Sequence, residues 1–215
     1  MIVIHHRRNT VAELADTDPQ FGVEIDLRNH GDDILVTHDP FITRAVLLQD
    51  WLKQYRHRFL IANVKEEGLE PRLTALLAEY GVSDFFILDE SIPFIRKYAL
   101  EGLPNFAVRV SELESIETAI RIASYLHGEN RSINWIWADS FTGMPLHPDE
   151  ALALRQAGYR ICIVSPELHH VNDPASYEAR ALRYIEALKE PGMESSRPDM
   201  VCTKCPLLWG SNYSI

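Results

Sequence analysis

The stretch Gly22-Val23-Glu24-Ile25-Asp26-Leu27 decides how the rest of the chain is read. In an extended strand successive side chains alternate, so Val23, Ile25 and Leu27 share one face while Glu24 and Asp26 share the other. The apolar face calls for packing against helices. Two carboxylates side by side on the opposite, enclosed face repel one another, and burying them unpaired costs several kcal/mol, of the order of 2–7 for a neutral polar group alone. A hard divalent cation with oxygen ligands answers both problems. An internal salt-bridge network with Arg7, Lys65 or Arg109 answers them as well.

Working outward, the same kind of short apolar, β-branched run recurs along the chain. Strands are predicted over 2–7, 22–27, 59–65, 85–89, 106–110, 134–139, 160–165 and 200–204. Segments with apolar residues at three- and four-residue spacing lie between them, at 45–55, 69–80, 116–126, 149–156 and 177–188. Strands that nearly all lead into helices predict a parallel sheet, and eight of them predict closure into a compact (β/α)₈ TIM barrel. The rival, an open doubly wound sheet, lacks its usual glycine cluster after the first strand. Residues 33–39, following an Asn29-His30-Gly31-Asp32 turn, read as a hairpin extension on top of the barrel.

The apolar runs stop in polar residues. They end at His6-Arg7, Glu24 and Asp26, Asn63-Val64-Lys65, Asp89, Arg109, Asp139, Ser165 and Glu167, and Thr203-Lys204. In a barrel these termini converge on the face that carries the active site. His6 and His38 fall at the mouth of neighbouring strands, where two imidazoles can act as base and acid near neutral pH. His5 alternates to the outer side, and His30, His57, His127, His147, His169 and His170 are expected to be solvated. Asp39, Asp89, Arg109 and Asp139 are candidates to support the site, and Trp135 and Trp137 to fill the core.

Composition narrows the class. The chain has 215 residues, 46% of them hydrophobic and 24% charged, which excludes intrinsic disorder and fits one domain spanning 1–215. With 21 Lys+Arg against 31 Asp+Glu the formal charge is −10, a surface that repels phosphate backbones, so nucleic acid is not an expected partner. No apolar run approaches the ~20 residues that span a bilayer. Three cysteines are odd in number and too few for a disulfide framework, and Cys202 and Cys205 read as a reduced pair. A soluble, cytoplasmic protein is expected. Nothing in the sequence sets its oligomeric state.

The ordered series His6-Arg7, Glu24-x-Asp26 and His38-Asp39 resembles the HR…ExD…HD signature of the glycerophosphodiester phosphodiesterases, within the phospholipase C-like phosphodiesterase superfamily. Asn9-Thr10, Asn63-Val64-Lys65 and the Val201–Pro206 run extend the resemblance over almost the whole chain. It implies a TIM barrel that cleaves a phosphodiester with one divalent cation, Mg²⁺ or Ca²⁺. Glu24 and Asp26 would be metal ligands, His6 and His38 the acid/base pair, and Arg7 and Lys65 the groups on the phosphate oxygens. The family's acid on the third strand is Asn63 here, which lends a neutral carbonyl oxygen or passes the third-ligand place to Asp139 or Asp89. The family's glycine after HR is Arg8, and too few residues separate His38 from the third strand for the small insertion domain of many members. The run Asn63-Val64-Lys65-Glu66-Glu67-Gly68-Leu69 is similar to an uncharacterised bacterial branch. The expected substrate is a small phosphodiester, cleaved to a monoester or to a cyclic phosphate; the alternative is a catalytically weak barrel that binds a phosphorylated metabolite.

Overall fold

The computed structural model describes residues 1–42 and 44–213. Eight parallel strands form the barrel: β1 (Ile2–His5), β2 (Gly22–His30), β5 (Leu60–Val64), β6 (Phe85–Leu88), β7 (Ala107–Val110), β8 (Trp135–Ala138), β9 (Arg160–Val164) and β10 (Met200–Thr203). The sheet runs β2–β1–β10–β9–β8–β7 on one side and β2–β5–β6 on the other. It closes where Ile87 and Phe106 form a parallel bridge between β6 and the start of β7. Helices α1 (Val11–Ala15), α3 (Glu70–Glu79), α4 (Ile92–Leu100), α5 (Ile116–Gly128), α6 (Pro148–Gln156), α7 (Tyr177–Lys189) and α8 (Pro206–Asn212) follow successive strands on the outside.

The predicted hairpin extension is present. β2 continues to His30 and turns back into β3 (Asp33–Val36), with Leu27 opposite Val36 and His30 opposite Asp33. The helix expected over 45–55 is shorter than its periodicity suggests. Val46 and Leu47 form a short strand, β4, against Val36 and Leu35, and α2 occupies only Leu48–Leu52. Pairing with the exposed edge of β3 satisfies backbone groups that a helix start there would leave open.

Strand alternation divides the core in two. Val23, Ile25 and Leu27 face outward into the layer between sheet and helices, with Val64, Ile87, Ile136 and Ile163. Ile4, Ile61, Phe86, Leu88, Trp135, Trp137, Cys162, Met200 and Cys202 face inward and fill the barrel. Phe59, Phe86 and Trp135 meet with ring centroids 5.5–5.7 Å apart. Beside these rings Ile4 Cδ1 and the Phe59 carbonyl oxygen leave no room for a side chain at position 22, where a Cβ would lie 2.8 Å from that oxygen and against Ile4. The packed floor pushes every polar inward residue to the upper rim, where the strands end. No helix among the described residues is long and apolar enough to cross a membrane.

Candidate active site

Glu24 and Asp26 stand where the alternation places them, inward at the top of β2 and each about 1% exposed. Asn9, in the turn after β1, clamps Asp26 at both ends: its Nδ2 donates to Asp26 Oδ2 at 2.8 Å, and its Oδ1 accepts from the Asp26 backbone N–H at 2.9 Å. Arg7 adopts φ +52°, an uncommon region for a bulky residue. That twist aims its N–H at Glu24 Oε2, 2.8 Å away, and its Nε toward Asp26 Oδ2 at 3.5 Å. The Trp51 indole donates to the Arg8 carbonyl at 2.9 Å and pins the same turn from outside.

The neighbouring strand supplies Asn63 and Lys65. Asn63 Nδ2 donates to Glu24 Oε1 at 3.0 Å, and its Oδ1 accepts from Lys65 Nζ at 2.6 Å. Lys65 Nζ also lies 3.2 Å from Asp26 Oδ1 and 3.2 Å from Asp89 Oδ2. From there the charges alternate around the mouth. Asp89, held at φ +69°, pairs with Arg109; Arg109 Nη1 donates to Asp139 Oδ2 at 2.7 Å; Asp139 Oδ1 faces His169 Nε2 at 3.1 Å. Asp89 is thus paired with Lys65 and Arg109, and Asp139 with Arg109 and His169. In the turn after β9, Glu167 Oε1 accepts from Thr203 Oγ1 at the end of β10 at 2.5 Å and from the Lys204 N–H at 3.0 Å.

The two histidines occupy different settings. His6 is largely buried, with Nε2 3.8 Å from Glu24 Oε2 and Nδ1 without a hydrogen-bond partner. Burial first, then the charges of Arg7, Lys204 and Lys65, lowers its pKa to about 3, so the imidazole is neutral at neutral pH. His38 is more open, on the connection after β3, with Nδ1 3.0 Å from Asp39 Oδ1. Arg28 ties that connection down: its Nε donates to the His38 carbonyl at 3.0 Å and its Nη1 to Glu66 at 2.9 Å. Asp39 is ionised below the usual carboxylate range because His38 donates to it. Arg7, Asn9, His38, Asp39 and Ile42 line a cavity of about 840 Å³ beside the carboxylate pair.

Among the described residues no three His, Cys, Asp or Glu side chains are grouped so as to hold a metal ion by themselves. The oxygens available are those of Glu24 and Asp26; the Asn63 amide turns its Nδ2 to Glu24 and its Oδ1 to Lys65. Two features fit a cation there. Asp26 Oδ1 is buried and accepts no hydrogen bond, its one charged neighbour being Lys65 Nζ at 3.2 Å, and burial together with the neighbouring Asp26 charge pushes the Glu24 carboxyl up. Both record negative charge that the protein's own cations compensate only in part.

The reading of His169 as a solvated residue is corrected: it lies against Asp139, with the Phe141 ring 4.6 Å from its own. Asn9 was legible only as a motif letter, without a role, and Glu167 as a strand end that could support the site or touch substrate, without its partner Thr203. Their signal was the need of buried Asp26 and Thr203 for polar partners.

No family model matches the sequence, and no curated protein matches it. Solved structures do. A chain from Agrobacterium tumefaciens C58 that carries the name glycerophosphoryl diester phosphodiesterase provisionally aligns with a TM-score of 0.65 at 14% identity, over 99% of this chain and 97% of that one. A glycerophosphoryl diester phosphodiesterase from Parabacteroides distasonis aligns with a TM-score of 0.63 at 14% identity, over 98% of this chain and 85% of that one. The chain has the glycerophosphodiester phosphodiesterase fold. A further glycerophosphodiester phosphodiesterase from A. tumefaciens matches with a TM-score of 0.59 at 15% identity, over 98% of this chain and all of that one. The three matches span nearly all of this chain and 85–100% of the others, so the likeness is to the barrel as a whole.

Proposed function

We propose that the protein is a phosphoric diester hydrolase working as one barrel domain in the cytoplasm, with His6 and His38 as its acid/base pair. The observation that carries this reading is the convergence of four kinds of group on one barrel mouth. The buried carboxylates Glu24 and Asp26, the cations Arg7 and Lys65, the neutral buried His6 and the rim histidine His38 beside Asp39 come together from four separate segments. A phosphodiester needs positive charge on its non-bridging oxygens, a base for the attacking hydroxyl and an acid for the leaving oxygen.

Arg7 and Lys65 take the phosphate oxygens. His6 accepts the proton of the attacking water or substrate hydroxyl, its basicity raised when the phosphate's negative charge lies beside it. His38, whose Nδ1 is held by Asp39, presents Nε2 to the leaving oxygen and donates to it. Asn9 and Asn63 fix the carboxylates, so that the substrate meets a preorganised charge pattern. Glu24 and Asp26 would hold one divalent ion, Mg²⁺ or Ca²⁺, joined by the Asn63 carbonyl oxygen if its amide turns over from Lys65, and the ion as a Lewis acid would draw charge from the phosphoryl oxygens.

The test is product analysis by ³¹P NMR over a panel of glycerophosphodiesters. The proposal expects a phosphomonoester, or a cyclic phosphate where the substrate hydroxyl attacks, and no conversion by His38→Ala. A panel bound but never converted would instead mark a barrel that binds phosphorylated metabolites.

A further inference from the structure

The exposed large apolar side chains are distributed very unevenly over this barrel. Phe41 and Ile42 follow β3, Leu113 follows β7, Met144 follows β8, Val171 follows β9 and Leu207 starts α8 directly after β10. Every one of these connections lies on the face where the strands end, around the mouth that holds His6, Arg7 and Lys65. Phe41 is 97% exposed, Leu113 82% and Leu207 76%. On the opposite face, among the described residues, the connections leading into the strands contribute only Met1. Tyr125 on α5 and Leu152 on α6 are exposed singly on the outer helices. Scattered residues of that kind need no explanation, but a ring concentrated on the barrel mouth does.

We infer that the barrel mouth docks on a lipid surface, and that the substrate is a phosphodiester with an apolar chain on one of its esters, drawn from that surface. This rests on the phosphodiesterase reading and names its substrate class. The apolar tips sit on five separate connections around the cavity, so they can enter a fluid interface together while leaving the mouth facing it. A protein partner seated on the same ring would cover His38 and Arg7. Ile42 lines the same cavity as Arg7, His38 and Asp39, which makes the apolar rim continuous with the phosphate site. Charge complements a neutral surface and not an anionic one. The chain carries −10, and Asp39, Glu112, Glu114 and Asp173 lie on the rim connections. Attachment therefore comes from apolar insertion, with zwitterionic headgroups preferred.

The experiment is co-sedimentation of the full chain with phosphatidylcholine vesicles and with vesicles containing phosphatidylglycerol. The double variant Phe41→Ser/Leu113→Ser is run beside Leu152→Ser, an exposed apolar change on the outside of α6. Expected are binding to phosphatidylcholine that weakens as phosphatidylglycerol is added, a loss of at least tenfold in the double variant, and no loss in Leu152→Ser. Hydrolysis of soluble bis-(p-nitrophenyl) phosphate should be the same in all three proteins. Absence of vesicle binding, binding unaffected by the double variant, or a dimer that the double variant splits would overturn the inference, the last by assigning the rim to a second copy. Rim-dependent vesicle binding by a protein that hydrolyses no phosphodiester would uphold the docking surface and reject the catalytic reading.

Discussion

Replacing Glu90 by Gln should stabilise the protein, and only above mildly acidic pH. Glu90 follows Asp89 at the end of β6, is 9% exposed, and has no N–H or cationic partner on either carboxyl oxygen, only the Glu70 carboxyl nearby. It lies in hydrogen-bond reach of Glu70, which is fully buried at the start of α3 and accepts only the Gly68 N–H, at 3.2 Å. Burial, then the hydrogen bond and charge of Glu70, pushes the Glu90 carboxyl far up from its ordinary 4.5. In the folded protein the pair keeps a proton that the unfolded chain releases. The folded state therefore has its full advantage below the unfolded pKa and loses it as pH rises. One such proton changes stability by about 1.4 kcal/mol per pH unit. From pH 6 to pH 8 this is at most about 2.7 kcal/mol, and about half that once solvent at the partly open edge is allowed for. The Gln side chain removes one charge and gives Glu70 a donor. For a domain of this size about 1.4 kcal/mol corresponds to a Tm gain of about 3–6 °C. Calorimetry of both proteins at pH 5 and pH 8 should show that gain at pH 8 and little at pH 5. An equal shift at both pH values, or a loss at pH 8, would refute the shared-proton account.

Other expectations follow from the same structure. Gly22→Ala forces a Cβ against Ile4 and the Phe59 carbonyl in the barrel floor, and should cost about 1–3 kcal/mol by urea denaturation. Lys65→Met strips buried Asp26 and Asn63 Oδ1 of their cation; about 3 kcal/mol of stability and most of the activity should go with it, read by denaturation and by hydrolysis rate. Asn63→Glu adds a third carboxylate to Glu24 and Asp26, and titration calorimetry should show Mg²⁺ or Ca²⁺ binding at least tenfold tighter, an effect Glu24→Ala abolishes.

Much of this architecture can be read from residue types alone. The Glu24-x-Asp26 alternation fixes which face of β2 looks inward, and the inward set of β5, Asn63 and Lys65, follows the same rule. Strand ends give Arg109 and Asp139 because a barrel brings all such ends to one rim. Strand alternation cannot show that Lys65 reaches across to Asp89, or that Asp139 selects His169, since these pairings depend on neighbours set by closure. The short α1 was legible from Thr10 and Glu13, which form a reciprocal capping box, although its five residues carry too little periodicity to stand out. α2 was overread because Val46 and Leu47 suit a helix face as well as an edge strand. The Glu70–Glu90 pair was invisible for the opposite reason: acidic residues at a helix start and a strand end each have an ordinary explanation, and only their meeting is unusual.

The most direct measurement is the rate of bis-(p-nitrophenyl) phosphate hydrolysis by the native chain and by the His6→Ala/His38→Ala double variant, both with millimolar Mg²⁺ or Ca²⁺. The account predicts turnover by the native protein and a fall of at least about a hundredfold in the variant, with the fold intact by circular dichroism. A native rate no higher than the buffer's, or a double variant that keeps the native rate, would contradict it.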